Sequence, residues 1–303
     1  KLPSKIDYEN LLPQLSYING AKAIPEGDVV LRDGFNNNDP VPSLQYALSN
    51  SNYCILCHNQ GKDSCSKGAV EYKENPLGVK MTGCPLEEKI SEMNTLKNQA
   101  CPIGALATAI IDNPMIAGTG HRICNDCMKS CIYQKQEPVD IPSVESRVLY
   151  DVLLLPWGFE IYSLLTRWNP LNFKTPLPLP ISEYKTLVVG LGPSGFTLSH
   201  YLLNQGVNVV AIDGLKIEPI DSSISGIDQH GNRCKFNPIL DIKTIFEPLS
   251  ERNAQGFGGV AEYGITIRWD KNYLKIIRLL LERRKNFRMY GGIRFGSNIS
   301  TKD

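Results

Sequence analysis

The chain has 303 residues, of which 42% are hydrophobic and 21% charged, and its formal net charge is +1. This is an ordinary globular composition, long enough for two domains, and the balanced charge disfavours binding to nucleic acid or to a membrane surface. We see no secretory signal and no apolar stretch of the roughly 18 residues that a membrane span needs. We therefore expect an intracellular soluble protein, in a cytoplasm or a mitochondrial matrix.

The first part of the chain divides into a loop-rich arm and a helical region. Residues 1–50 carry five prolines and a polar run, so we expect an N-terminal arm rather than a domain. Residues 51–168 alternate cysteine-bearing loops with apolar residues at helical spacing, which predicts a helical domain. The predicted helices are Leu86–Leu96, Gly104–Ile111 and Ser143–Leu155.

A proline-rich stretch, residues 169–180, separates this region from a different pattern. Its four prolines disfavour a helix or a central strand, so we predict a stiff linker and a domain boundary. Residues 181–303 then alternate strands and helices, which predicts a βαβ unit in a Rossmann-like α/β domain. The predicted strands are Thr186–Val189, Val207–Ile212 and Phe287–Tyr290, and the helices are Ser194–Asn204 and Asn272–Arg284.

A glycine-rich turn between the first strand and the next helix fits the dinucleotide-binding pattern G-x-G-x-x-G. Its residues are Gly190, Leu191, Gly192, Pro193, Ser194 and Gly195. The glycines allow a tight turn and a close approach of a pyrophosphate, and the helix N-terminus supplies N–H groups for the phosphates. Asp213, 23 residues past Gly190, is predicted to accept hydrogen bonds from a ribose. The motif alone does not distinguish FAD from NAD(P).

Eight of the nine cysteines fall between Cys54 and Cys131, a clustering that indicates an inorganic centre. Sets of four cysteines bind either zinc or a [4Fe–4S] cluster, and the spacing leaves both open. The adjoining dinucleotide motif favours clusters, because a flavin splits two-electron chemistry into single electrons that clusters can carry. The spacing is C-x2-C at Cys54 and Cys57, then Cys65 and Cys84, then C-x2-C-x3-C at Cys124, Cys127 and Cys131.

Four further residues in or beyond this region are not predicted as ligands. Cys101 is expected to be a small buried apolar residue, and Cys234 lies isolated in a polar insertion. His58 and His121 sit near ligand cysteines and are expected to be hydrogen-bonding neighbours.

Together these motifs resemble the iron–sulfur flavoprotein family that includes the small subunit of glutamate synthase and the N-terminal part of dihydropyrimidine dehydrogenase. The large subunit of the NADH-dependent ferredoxin:NADP oxidoreductase also belongs to it. The resemblance covers roughly residues 50–300, in the family's order. Beside the C-x2-C start and the glycine motif, it rests on Gly83-Cys84-Pro85-Leu86, Gly118–Cys131, Gly258-Gly259 and Tyr263-Gly264-Ile265. It implies an alpha-helical ferredoxin-like domain followed by a Rossmann-like FAD-binding domain, here incomplete.

The resemblance also implies two interleaved [4Fe–4S] clusters. One would be held by four cysteines, and the other by three cysteines and a side-chain oxygen from the following helix. Glu145 matches the position of that oxygen, and a solvated helix carboxylate is the alternative. The first set (the Cys65 set) is Cys54, Cys57, Cys65 and Cys131, and the second (the Cys127 set) is Cys84, Cys124, Cys127 and Glu145.

The flavin of this family is FAD, which the resemblance places at the glycine motif. The loop at Gly258 and Gly259, with Gly264 and the segment to Arg268, would then lie close to the isoalloxazine. The sequence departs from the family pattern by expansions between Cys65 and Cys84 and between Asp213 and Gly258. It also stops at Asp303, before the family's second Rossmann domain for NAD(P)H.

We therefore expect an electron-transfer component of an oxidoreductase, either a subunit or a fragment. It would pass electrons between FAD, two [4Fe–4S] clusters and another redox subunit or domain, as part of a hetero-oligomer, with the NAD(P)H site elsewhere. No residue is predicted as an acid–base catalyst, because the cofactors carry this chemistry. The alternative is a redox-silent structural subunit that keeps clusters or zinc, and a dinucleotide, as structural ligands.

Overall fold

The computed structural model describes residues 1–11, 14–25, 27, 29, 31, 33–69, 74–251 and 270–303. Helices predominate from residue 44 to residue 165, and a parallel sheet follows. The helices of the first part are Leu44–Tyr53 (α1), Ser64–Lys67 (α2), Ile90–Asn98 (α3), Pro102–Asp112 (α4), Ile116–Thr119 (α5), Asp126–Lys129 (α6), Ile141–Leu153 (α7) and Gly158–Leu165 (α8).

The N-terminal arm contains a hairpin of two short antiparallel strands, Ser16–Ile18 (β1) and Ala21–Ala23 (β2). Its first residues lie along the segment that follows the cysteine run: Ile6 N donates to Lys135 O over 3.3 Å. The arm is therefore docked on the helical part rather than free of it.

Helix α1 crosses the predicted boundary at residue 50. It begins after Ser43, whose hydroxyl accepts a hydrogen bond from Tyr46 N (3.1 Å), the usual arrangement of a serine N-cap. The proline-rich composition of residues 1–50 concealed this cap, so the arm ends about seven residues earlier than predicted.

The second part of the chain is built on a three-stranded parallel sheet in the order β3-β4-β5. Helix α9 connects β3 to β4 and packs against both, which is a βαβ unit. The strands are Lys185–Val189 (β3), Asn208–Ile212 (β4) and Phe287–Tyr290 (β5). The helices are Pro193–Asn204 (α9), Ser222–Ser225 (α10) and Asn272–Glu282 (α11).

One hydrophobic core joins the helical part to the sheet. It runs without interruption from α4, α7 and α8 through α9, β4 and α11. The closest approach is at Gly118 in α5, where an added Cβ would lie 2.8 Å from Phe196 Cζ and 3.2 Å from Ile277 Cγ1. A side chain at Gly118 would push these elements apart, so the two parts are packed as one body.

The proline-rich segment 169–180 is pinned at both ends to this body. Asn169 Nδ2 donates to Ala107 O over 2.7 Å, and Leu179 N donates to Asn204 O over 2.8 Å. The segment forms neither helix nor strand, as predicted, but it is a tether laid along the junction between the two parts.

Among the described residues, no single helix is long and apolar enough to cross a membrane. The pair α7 and α8 would pass such a test together, but the two helices meet at a bend of 118°.

Candidate metal and dinucleotide sites

The four cysteines of the Cys65 set line one small cavity. Cys54 follows the end of α1, Cys57 lies in a 3-10 turn, Cys65 lies in α2 and Cys131 follows α6. Three of them are more than nine-tenths buried, and Cys54 is partly buried. Cysteines separated by as many as 77 positions in sequence are thus gathered around one space.

Burial controls the protonation of these thiols. It raises the pKa of the Cys65 thiol strongly, and the neighbouring Cys131, Cys57 and Cys54 raise it further. Burial also raises the pKa of Cys131 and of Cys54. Without a cation beside them, the thiols of Cys65, Cys131 and Cys54 are therefore neutral near pH 7, and binding a metal would release their protons.

Two polar side chains of α3 lie beside Cys54, and one of them, Asn94, lines this cavity. The Ser91 hydroxyl and both amide atoms of Asn94 are buried without a hydrogen bond, and both residues are 0% exposed. Both side chains act against the burial that raises the thiol pKa of Cys54. Donors of this kind stabilise thiolates and the sulfurs of clusters, so the surroundings fit a bound anionic centre.

The Cys127 set forms a second group. Cys84, Cys124 and Glu145 each act on the charge of Cys127, whose thiol pKa is raised well above its ordinary value, mainly by burial. Burial and the charge of Glu88 raise the pKa of Cys84 to about 11. The four predicted members therefore lie within range of one another's charge, although Cys124 is exposed.

Glu145 is not a solvated helix carboxylate. It lies in α7 and is 8% exposed, and its Oε1 accepts a hydrogen bond from Asn113 Nδ2 over 3.1 Å. Glu88, 6% exposed, is its acidic neighbour. Burial, followed by the repulsion from Glu88, raises the pKa of Glu145 well above its usual value, and burial raises that of Glu88 to about 7. Two buried carboxyl groups beside three thiols are ligand types that metal ions can bind once they are deprotonated.

The long stretch between Cys65 and Cys84 closes on itself. Cys84 N donates to Cys65 O over 2.9 Å, so the residues that bound the expansion are hydrogen-bonded neighbours. Gly83 packs so closely on Gly68 that a Cβ would overlap the Gly68 backbone. The expansion is therefore a loop that leaves the positions of the two cysteines linked, and residues 70–73 within it lie outside the description.

The donor atoms share these spaces without meeting at bonding distance. Within the described ranges, no three or more His, Cys, Asp or Glu side chains are arranged to hold a metal ion as they stand. The space among the thiols of the Cys65 set is about 10 Å³, room for about one water molecule. The backbone fixes which cysteines share a cavity, whereas the distances between sulfurs change with rotation about χ1. Binding a cluster would therefore require these side chains to turn and the cavity to widen.

Two cysteines lie apart from both groups. Cys234 is exposed, in keeping with its predicted isolation. Cys101 is also exposed, so the prediction of a buried residue is wrong. Cys101 is the N-cap of α4, and the residues that this helix buries begin only at Ala105.

The two histidines differ in their surroundings. His121 is a hydrogen-bonding neighbour, as predicted: its Nδ1 lies 2.6 Å from the Ser146 hydroxyl and its Nε2 lies 2.8 Å from Asp39 O. The buried Nδ1 of His58 has no hydrogen-bond partner.

Sequence reasoning missed the polar residues that surround the cysteines, namely Ser91, Asn94, Glu88 and Asn113. A weak signal was present, because Ser91 and Asn94 occupy the buried face of α3 beside Ile90 and Met93. A polar residue on an apolar helix face requires a hydrogen-bond partner. Because the helix was predicted to begin at Leu86, the sequence pattern did not show which residues share its buried face.

The glycine turn has the geometry that its motif predicts. It follows β3, and Gly190 adopts a positive φ of +92°, which favours glycine. A Cβ on Gly195 would overlap the Gly190 carbonyl oxygen, so α9 can start this close to the strand only with glycine there. Gly192 is the N-cap of α9, and Pro193 and Ser194 form its first turn. The free N–H groups of that turn suit a phosphate.

Asp213 lies where the motif predicts it, just after β4, and its carboxylate contacts the turn itself. Its Oδ2 accepts a hydrogen bond from Leu191 N (2.8 Å), and its Oδ1 accepts one from Leu215 N (2.9 Å). Both oxygens therefore bind backbone groups, and contact with a ribose would have to use their remaining lone pairs. The other predicted flavin contacts, Gly258, Gly259, Gly264 and Arg268, lie outside the described residues.

No protein-family model matches the chain. The uncharacterized protein RP006 of Rickettsia prowazekii (strain Madrid E) is 57% identical over 186 residues, which are 61% of this chain and 25% of the relative. The uncharacterized protein RP005 of the same strain is 38% identical over 109 residues, which are 32% of this chain and 35% of the relative. The chain thus spans about a quarter and about a third of the lengths of these relatives. Because their names state no activity, a function has to be argued from the sites.

Proposed function

We propose that the chain carries electrons between FAD at the glycine turn and two [4Fe–4S] clusters, and exchanges them with another redox subunit or domain. The observation that carries this proposal is the division of the ligand candidates into two groups. The three cysteines of the Cys127 set lie between Cys65 and Cys131 in sequence. The Cys65 set nevertheless lines one cavity without them, and they lie within range of one another's charge. Two separate groups are what two clusters require.

The donor sets fit such clusters. The Cys65 set offers four thiols, the usual number for a [4Fe–4S] cluster, with Ser91 and Asn94 as donors beside it. In the Cys127 set, three thiols and the Glu145 carboxyl would serve, with Asn113 orienting that carboxyl over 3.1 Å. When bound, such clusters supply one-electron transfer at potentials set by ligand type and hydrogen bonding.

The role of the protein in this proposal is to hold the redox groups in one rigid frame. The core that joins α5 to α9 and α11 fixes the cysteine region relative to the glycine turn. A fixed arrangement keeps electron-transfer distances constant during turnover. Since all nine cysteines are free thiols, the chain suits a reducing compartment, which favours a bacterial cytoplasm or an organelle matrix.

The proposed electron path extends beyond this chain. The family that the sequence resembles binds NAD(P)H in a second Rossmann domain, so the nicotinamide site would lie in another polypeptide or in a longer form of this one. The length of the relatives allows either arrangement, because this chain covers about a quarter of one of them. A hetero-oligomeric oxidoreductase of the glutamate synthase type is the assembly that we propose.

The test is metal and sulfide analysis with electron paramagnetic resonance of the anaerobically purified, dithionite-reduced chain. We expect iron, acid-labile sulfide, FAD and two cluster signals. Cys65→Ser should remove one signal and about half of the iron, and Cys127→Ser should remove the other. Cys234→Ser replaces an exposed cysteine outside both sets and should change neither.

Three results would contradict the proposal. Zinc in place of iron would favour structural metal sites. Loss of both signals in the Cys234→Ser variant would contradict the ligand assignment. Bound clusters and flavin that dithionite does not bleach would favour the redox-silent structural subunit.

A further inference from the structure

A cavity of about 280 Å³ lies where the end of α8, the segment 169–180 and the end of α9 meet. His200 and Asn204, which line it, stand in the last turns of α9, whereas the glycine turn lies before the first. With a rise of about 1.5 Å per residue, this helix separates the cavity from the glycine turn by about 15 Å. The cavity is therefore distinct from the proposed dinucleotide site.

The lining of this cavity is partly basic and polar. Arg167 and Lys174 supply its positive charge, and the described lining residues include neither Asp nor Glu. His200 and the amides of Asn169 and Asn204 are its neutral polar groups. Apolar side chains, among them Ile110, cover the remainder. A lining that combines apolar side chains with a few charged and polar groups is the usual construction of a small-molecule site.

A second guanidinium strengthens the positive charge behind this lining. Arg284 is 8% exposed, and its Nη1 donates to Asn204 Oδ1 over 2.9 Å. Burial and the repulsion from Arg167 lower its pKa to about 10. In the described part of the chain, neither Arg284 nor Arg167 forms an ion pair. Glu160, whose charge reaches Arg167, is already bound by Arg283 over 2.8 Å.

The carbonyl groups at the ends of α8 and α9 do not take the place of counter-ions for Arg167 and Arg284. The final carbonyls of α8 are taken by backbone N–H groups, since Leu164 O accepts from Arg167 N (2.9 Å) and Trp168 N (2.7 Å). At the end of α9, Leu203 O accepts from Gly206 N over 3.1 Å. Arg167 itself donates from Nε and Nη2 to Ser163 at 3.2 and 3.3 Å, which are long bonds. Arg284 is a buried cation and Arg167 a half-buried one. Cations withdrawn from water without counter-ions are costly, and an anion in the cavity would offset that cost.

We propose that this cavity binds a small oxyanion, the carboxylate or phosphate group of a compact metabolite. Arg167 and Lys174 face its charge, Arg284 adds positive charge behind Asn204, and the apolar side chains at Ile110 cover its carbon body. The ligand would touch the helical part, the tether 169–180 and α9 at once, so its binding would also stabilise the junction between the two parts of the chain. The site is independent of the proposed redox function.

The test is isothermal titration of the full chain with sodium succinate and, separately, with sodium phosphate, in chloride buffer of matched ionic strength. We expect saturable binding of at least one of them. Arg167→Gln should weaken that binding at least tenfold, because a charge-assisted hydrogen bond of this kind contributes roughly that much. Lys302→Gln removes the same charge from an exposed residue outside the cavity and should change affinity less than twofold.

Lys174→Gln is a second cavity variant, needed because Arg167→Gln could also impair folding. Lys174 is exposed, so its substitution should leave the fold unchanged. We expect at least a threefold loss of affinity. Binding of succinate alone would identify carboxylates as the ligand class, and binding of phosphate alone would identify phosphates. The proposal is overturned if neither anion binds more than chloride does, or if both cavity variants bind as tightly as the Lys302→Gln control.

Discussion

His200 gives the sharpest prediction for stability. It is 2% exposed near the end of α9, with its Nε2 3.2 Å from the Asn204 amide. Burial, followed by the positive charges of Arg284 and Arg167, lowers its pKa from 6.5 to about 3. The imidazole is therefore neutral in the folded chain across the range in which an unfolded histidine takes up a proton. Acid consequently favours the unfolded state, because only that state binds this proton between about pH 6.5 and pH 3.

The size of this effect follows from the shift. Above about pH 6.5 this histidine does not change the free energy of unfolding. Below that pH, it lowers the free energy of unfolding by about 1.4 kcal/mol for each pH unit. Between about pH 8 and pH 5, this one residue should lower the free energy of unfolding by about 2 kcal/mol. His200→Gln removes the titrating group and keeps a polar side chain near Asn204. We expect this variant to be less stable by about 1 kcal/mol at every pH, because of the altered contact. We also expect its free energy of unfolding to change by about 2 kcal/mol less than that of the native chain between the two pH values.

The assay is urea unfolding of the full chain at those two pH values, in chloride buffer without carboxylate or phosphate. His230→Gln is the matched control, because it makes the same substitution at an exposed histidine. If His200→Gln and the native chain lose the same free energy between the two pH values, the buried neutral imidazole is refuted.

Three further substitutions test the remaining parts of the structure. Gly195→Ala should destabilise the chain by about 1–3 kcal/mol and lower its flavin content, because the new methyl group overlaps the Gly190 carbonyl. Ser194→Ala, at the exposed neighbouring residue, should change neither stability nor flavin content. Equal melting temperatures for the two variants would contradict the close helix–strand approach. Phe196→Ala should lower the free energy of unfolding by about 3–5 kcal/mol, since Phe196 is 0% exposed in the shared core. Both parts of the chain should still unfold in one transition, at a lower temperature. Two separated transitions in calorimetry would show that the parts fold independently. Glu145→Ala should alter the signal of one reduced cluster and leave that of the Cys65 set unchanged, as its carboxyl belongs to the Cys127 set, and an unchanged pair of spectra would remove Glu145 from the ligands.

Local sequence patterns were sufficient for the three strands of the parallel sheet and for five of the described helices. The helix predicted at Asn272–Arg284 is observed at Asn272–Glu282, and the strand predicted at Thr186–Val189 is observed at Lys185–Val189. Apolar periodicity and caps act over a few residues, so they can be read directly. The helix predicted from Leu86 begins only at Ile90, and Glu87 has a positive φ of +51° that a helix does not allow.

The sequence by itself determined the glycine turn and the residue types of the cysteine sets, because spacing and chemistry are properties of the chain. Only the tertiary structure decided how these residues are arranged. It brought Cys65 and Cys84 together across the stretch between them, and it buried Glu145 beside Glu88. It also placed the buried side chains of Ser91 and Asn94 near Cys54. It also made one packed body out of two predicted domains, because Gly118 leaves the space that Phe196 fills. Such contacts join residues far apart in sequence, and their energies depend on burial, which no local pattern records.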